Sequence, residues 1–260
     1  MKKKALLIVS FGVSNPVSRA ATLDRYEEEV TSTFLDYDFY KAYSSGRVIA
    51  KLKKEQNLII DTPIQALNKI AAAHYDEVIV QPFGLICGET FEQLETFVGR
   101  YLDKIKKIKL LNPLLHSEAD YDAVAKQLTQ DVKHQKLTEA LVFVGHGTYT
   151  SGQQAYIELA RALEKTEVNA FMGTIKNDLT LEKVSEKLHA NGIQHVQLRP
   201  FLLTSGYHVL EDIEDLWAKG LSAKGYQVQV ESKALGEYAQ VRHYFLDQIQ
   251  ACTRESSHED

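Results

Sequence analysis

Two histidines follow apolar runs with glycine nearby: His146, between two glycines in VFVGHGTYT, and His208, two residues after one in LLTSGYH. Neutral imidazole suits cobalt, nickel, iron and zinc and exchanges protons near neutral pH, so this pair fits a divalent cation or proton transfer. A lone histidine at a strand end often only satisfies a backbone group. Glycines on both sides of His146 and its place directly after a strand favour a functional reading, because glycine permits a sharp turn and close approach. Taken alone, His208 reads equally as a surface residue, and the pair is stronger than either member. Glu89 in ICGETFEQLE is a candidate ligand or proton acceptor; the plainer alternative is a helix-start glutamate favoured by the macrodipole. Ser45 and Arg47 in SSGR open a helix. Free amides and a guanidinium there favour anions, and capping alone explains the pattern as well. Arg199 beside Pro200 is a second candidate for a substrate carboxylate. Cys87 reads as buried packing, and the remaining histidines lie on helices or loops without a convergent partner.

These residues belong to elements that occur twice. VIVQPFGLICGETFEQLE (78–95) matches VQLRPFLLTSGYHVLEDIE (196–214), and ALLIVSFGVS (5–14) matches ALVFVGHGTYT (140–150). Each match joins an apolar strand to a turn, and strand ends are where α/β proteins place their chemistry. The strands read as continuous apolar runs, as expected when helices cover both sheet faces. In the first half strands are expected at 3–11, 37–43, 77–83 and 107–114, with helices at 19–34, 47–54 and 89–106 and another starting at Thr62-Pro63. In the second half strands are expected near 139–145, 170–175, 195–203 and 226–234, with a last helix at 237–251. The expected class is α/β, with two similar lobes of 1–125 and 126–260, each a four-stranded mostly parallel sheet flanked by helices.

The composition, with 44% hydrophobic and 25% charged residues over 260 positions, supports two cores of ordinary size. A net charge of -5 without a basic cluster argues against general nucleic-acid binding. No GxxxxGK[ST] or GxGxxG cradle is present, so no nucleotide cofactor is expected, and VGHGT is not a GxSxG elbow. Cys87 and Cys252, the only cysteines, fit a reducing compartment. Met1-Lys2-Lys3-Lys4 followed by ALLIV reads as a buried first strand rather than a signal peptide. No apolar stretch reaches the roughly 18 residues of a membrane span. The expectation is a soluble cytoplasmic protein without a membrane partner; a homo-oligomer is left open.

Taken in order, KKALLIVSFG, YSSGRVIAKLKKEQNLIIDTPIQALNKIA, VFVGHGT and RPFLLTSGYH resemble the anaerobic-type sirohydrochlorin cobaltochelatases, class II chelatases of the early-insertion cobalamin route. The resemblance implies two flavodoxin-like lobes with a cleft between them. It also implies ATP-independent insertion of Co²⁺, as substrate metal, into sirohydrochlorin, a tetrapyrrole ringed by carboxylates. In that family two histidines and a glutamate hold the metal, and His146 and His208 match the histidines. The glutamate lies in the stretch that here reads FMGTIKNDLT, where the matching position carries Lys176. Asp178 or Glu89 would then supply the missing oxygen. A first-lobe position that is often histidine in relatives is Gly84 here. The resemblance thus gives a chelatase in which His146, His208 and Glu89 handle metal and protons while Ser45, Arg47 and Arg199 meet carboxylates. The alternatives are a non-catalytic tetrapyrrole or metal carrier, a chelatase for Fe²⁺ or Ni²⁺, or an unrelated small-molecule enzyme on the same fold.

Overall fold

The computed structural model describes residues 2–132, 135–204 and 211–258. The chain divides into two compact units, one of residues 1–114 and 236–260, the other of 115–235. Against the expected division at 125–126, residues 115–125 belong to the second unit and residues 236–260 to the first.

The first unit begins with β1 (Lys4–Ser10), whose residues after Lys4 are all buried. Asn15 caps α1 (Pro16–Arg19), and a π-helical stretch, Ala20–Asp24, leads into α2 (Arg25–Thr33). Then come β2 (Asp38–Tyr43), α3 (Gly46–Gln56) and α4 (Pro63–Ala72), the last opened by a reciprocal Thr62/Gln65 capping box. The fully buried β3 (Glu77–Phe83), then α5 (Glu89–Gly99) and the short β4 (Ile108–Leu110) complete the sheet. Its order is β2-β1-β3-β4 with every pairing parallel.

The second unit starts with α6 (Glu118–Thr129), capped by Ser117 and Asp120, and repeats the plan. Its elements are β5 (Glu139–Gly145), α7 (Gln153–Glu164), β6 (Ala170–Thr174), α8 (Leu181–Ala190), β7 (His195–Phe201), α9 (Lys219–Ala223) and β8 (Gln227–Val230). A π-helical stretch, Asp212–Ala218, precedes α9. The order β6-β5-β7-β8, again all parallel, is the order of the first sheet. The last helix, α10 (Ala239–His258), returns to the first unit.

Both faces of each sheet are covered, which accounts for the continuous apolar strands. On one face of the first sheet Ala5, Leu7, Val9, Val78 and Val80 pack with Ala66, Leu67 and Ile70 of α4 and Leu94 and Val98 of α5. Fully burying each large aliphatic side chain contributes about 2 kcal/mol. Toward α2 and α10 Phe83 stacks on Tyr26 at 4.3 Å and meets Phe245 at 4.8 Å. That aromatic contact ties α10 to β3. In the second unit Val142, Val144, Val196 and Leu198 pack with Val184, Leu188 and Trp217. Among the described residues no helix is long and apolar enough to cross a membrane.

Candidate active site

An open parallel sheet of this order reverses direction between β1 and β3, and between β5 and β7, and ligands bind outside the strand ends at such a point. In the second unit the residue there is His146, exposed, directly after β5. Its Nδ1 lies 2.9 Å from the Gly147 carbonyl. A carbonyl can only accept, so Nδ1 carries the proton and donates. Nε2 is thereby the ring nitrogen that can offer a lone pair to a cation when the imidazole is neutral.

The loop that carries His146 is held from two sides. The Lys176 amide donates to the His146 carbonyl at 3.0 Å, and the Asn177 side-chain amide donates to the Thr148 carbonyl at 2.8 Å. From α7, Gln153 Oε1 accepts from the Thr148 amide at 2.9 Å, and the buried Tyr156 hydroxyl accepts from the Gly147 amide. Burial pushes the Tyr156 phenol up to about 12, so the hydroxyl stays neutral as an acceptor. Gly147 has φ +69°, and a Cβ there would collide with the Lys176 carbonyl, so only glycine lets the two loops close. Gly145 serves packing: the close approach there is that of the Tyr156 ring, which a Cβ would strike.

Lys176 follows β6 at the same edge, its backbone bonded to His146 and its side chain exposed. Asp178 is exposed in the same loop, past Asn177, which turns the chain with φ +69°. His208 lies outside the described residues. Among the described residues no three His, Cys, Asp or Glu side chains stand together to hold a metal ion.

In the first unit Glu89 is the exposed first residue of α5 and accepts from Gln93 Nε2 at 3.3 Å, an i,i+4 contact that leaves most of the carboxylate open. Ser45 caps α3 by accepting from the Val48 amide at 3.4 Å, so its hydroxyl is engaged locally, while Arg47 stands exposed in the first turn. Arg199 is placed differently from the expectation. It lies within β7 and pairs with Asp131 at 2.9 Å and Glu231 at 3.0 Å, so its charge is already matched inside the second unit. Gly84 follows β3, and a Cβ there would meet only Pro113 Cβ at 4.0 Å. A side chain would fit at that position.

Sequence reasoning missed Gln153 and Tyr156, the residues that hold the His146 loop. Their position in the first turns of the helix after GHGT is the signal that was available.

The family model described as Cobalt chelatase (CbiK) matches residues 4–254. A sirohydrochlorin cobaltochelatase of Salmonella typhimurium is 30% identical over 248 residues, covering 94% of each chain. Sirohydrochlorin cobaltochelatase CbiKC of Nitratidesulfovibrio vulgaris is 28% identical over 261 residues, covering 96% of this chain and 91% of its own. Among solved structures, SirB from Bacillus subtilis with Fe³⁺ has a TM-score of 0.66 at 16% identity, covering 95% of this chain and 94% of that one. The siroheme-biosynthesis enzyme CbiX has a TM-score of 0.61 at 20% identity, covering 95% of this chain and 98% of that one. These two structures share the fold. With the family model spanning nearly the whole chain, the protein belongs to the cobalt chelatase (CbiK) family.

Proposed function

We propose that this protein inserts Co²⁺ into sirohydrochlorin. The observation that carries the reading is His146: an exposed imidazole at the reversal point of the second sheet, with Nδ1 engaged by the Gly147 carbonyl. His146 receives the cation and passes it to the pyrrole nitrogens. His208, a metal ligand by resemblance to the family, is the second imidazole of this reading. As Co²⁺ enters, two pyrrole N–H protons leave, so charge is conserved and no nucleotide needs to be hydrolysed. Glu89, an open carboxylate, accepts one of those protons, and the other passes to solvent water. Arg47, exposed beside the amides that open α3, meets rim carboxylates. Arg199, paired with Asp131 and Glu231, plays a lesser part.

Lys176 favours a second reading. A cation beside His146 opposes a divalent ion, by roughly 1 kcal/mol at a separation of about 6 Å in water-like surroundings. A metal or tetrapyrrole carrier tolerates that better than a catalyst that must load metal repeatedly. Mixing a small amount of protein with excess sirohydrochlorin and Co²⁺, Fe²⁺ or Ni²⁺, followed by the visible spectrum, separates the readings, because a catalyst turns over and a carrier stops at one equivalent. The chelatase reading predicts insertion by the wild type, fastest with Co²⁺, and little by His146→Ala. Equal rates in both proteins would remove His146 from the reaction.

A further inference from the structure

Phe11 stands at the reversal point of the first sheet, directly after β1 and beside the end of β3, where Ser10 pairs with Phe83. The first unit's backbone at this point repeats that of the second. The Ser44 amide donates to Ser10 at 2.8 Å and the Ser45 amide to Phe11 at 3.3 Å, as the Ile175 amide donates to Gly145 at 2.9 Å and the Lys176 amide to His146 at 3.0 Å. Gly12 follows with φ +90°, as Gly147 follows His146 with φ +69°. Phe11 is therefore the twin of His146 in position and backbone geometry.

Its side chain is 63% exposed, although the next non-glycine residue, Val13, is buried. Single exposed apolar residues are common on protein surfaces. This one differs because its backbone is fixed at the place where the fold receives a ligand. A phenyl ring can neither hold a cation by a lone pair nor bind a carboxylate. What remains to it is contact with an apolar, flat partner. The surroundings fit such a partner. Gly84, after β3, carries no side chain, and a Cβ there would touch only Pro113 Cβ at 4.0 Å; Arg47 is exposed in the helix whose capping residue, Ser45, bonds to the Phe11 carbonyl.

We propose that Phe11 is a substrate-contact residue whose ring lies against the face of the tetrapyrrole. The inference rests on sirohydrochlorin being the substrate.

Titration of sirohydrochlorin into metal-free protein, read by its visible band, tests the proposal, with Co²⁺ titration in the absence of tetrapyrrole as the second arm. Phe11→Ala should weaken sirohydrochlorin binding about tenfold and raise KM with little change in kcat. Phe11→Trp should restore binding, while Co²⁺ affinity and Tm stay at wild-type values in both. Unchanged sirohydrochlorin affinity in Phe11→Ala overturns the proposal, as does an equal loss of Co²⁺ and tetrapyrrole affinity, the mark of a structural defect. A wild type that binds sirohydrochlorin beside a Phe11→Ala variant that binds equally well sinks this inference alone. A wild type that binds none sinks it together with the substrate assignment.

Discussion

In His146 one ring nitrogen is already engaged, Nδ1 at 2.9 Å from the Gly147 carbonyl, which leaves Nε2 for the metal transfer proposed above. The glycines around it made the residue legible in the sequence. Its supports were not, because Lys176, Asn177, Gln153 and Tyr156 reach the loop from two other elements. The ion pairs of Arg199 were hidden for a related reason. Its partners Asp131 and Glu231 are distant in sequence, and only the fold brings them to it. Lys176 stands where the family resemblance implies a glutamate, and its backbone bond to His146 places it beside the proposed metal ligand. Lys176→Glu should remove a repelling charge and add an oxygen ligand, tightening Co²⁺ binding by about tenfold, or about 1.4 kcal/mol. Calorimetric titration of Co²⁺ checks this. If Asp178 already supplies the oxygen, Lys176→Glu changes little and Asp178→Asn is the damaging substitution.

At the scale of elements, β3 and β5 begin and end where the sequence puts them, because buried parallel strands are unbroken apolar runs. The expected helix 89–106 stops at Gly99, while Tyr101 and Ile105 beyond it remain buried in turns. Apolar periodicity outlasts the helical hydrogen bonds there. The edge strands β4 and β8 are shorter than expected, since each pairs on one side only. The element that matters most to the site is α7, whose first two turns hold the amides of Gly147 and Thr148. Gln153 is only 4% exposed, so nothing from solvent replaces it readily. Gln153→Leu should leave the Thr148 amide without its acceptor, costing about 1 kcal/mol of stability. Because the loop would then hold His146 less firmly, Co²⁺ affinity should fall about tenfold. Tyr156→Phe should act in the same direction through Gly147. Thermal unfolding and Co²⁺ titration, run together on both variants, distinguish this from a general loss of stability: unchanged metal affinity with a lowered Tm would make α7 a packing element only.

For the molecule as a whole, the duplication was legible and the assignment of α10 was not. Strings that match within one chain announce two units of one plan, and the two sheets have the same strand order. No local pattern says that the last helix returns to the first sheet, because that depends on Phe245 meeting Phe83 and on Arg242 reaching Glu29 at 2.9 Å. Arg242 is 1% exposed and also donates to the Gly236 carbonyl. Arg242→Ala should therefore destabilise the first unit by about 2 kcal/mol, less than for a fully buried pair because Glu29 keeps some access to water. Urea unfolding followed by far-ultraviolet circular dichroism measures it, and a midpoint equal to that of the wild type would show that Phe245 alone anchors the helix. The central claim, that this chain is a catalyst of metal insertion, is tested most directly by mixing a small amount of protein with excess sirohydrochlorin and Co²⁺ and following the visible spectrum. The account predicts many equivalents of cobalt-sirohydrochlorin per protein at a rate well above that without protein. A spectral change that stops at one equivalent, or a rate no faster than in buffer, would contradict it.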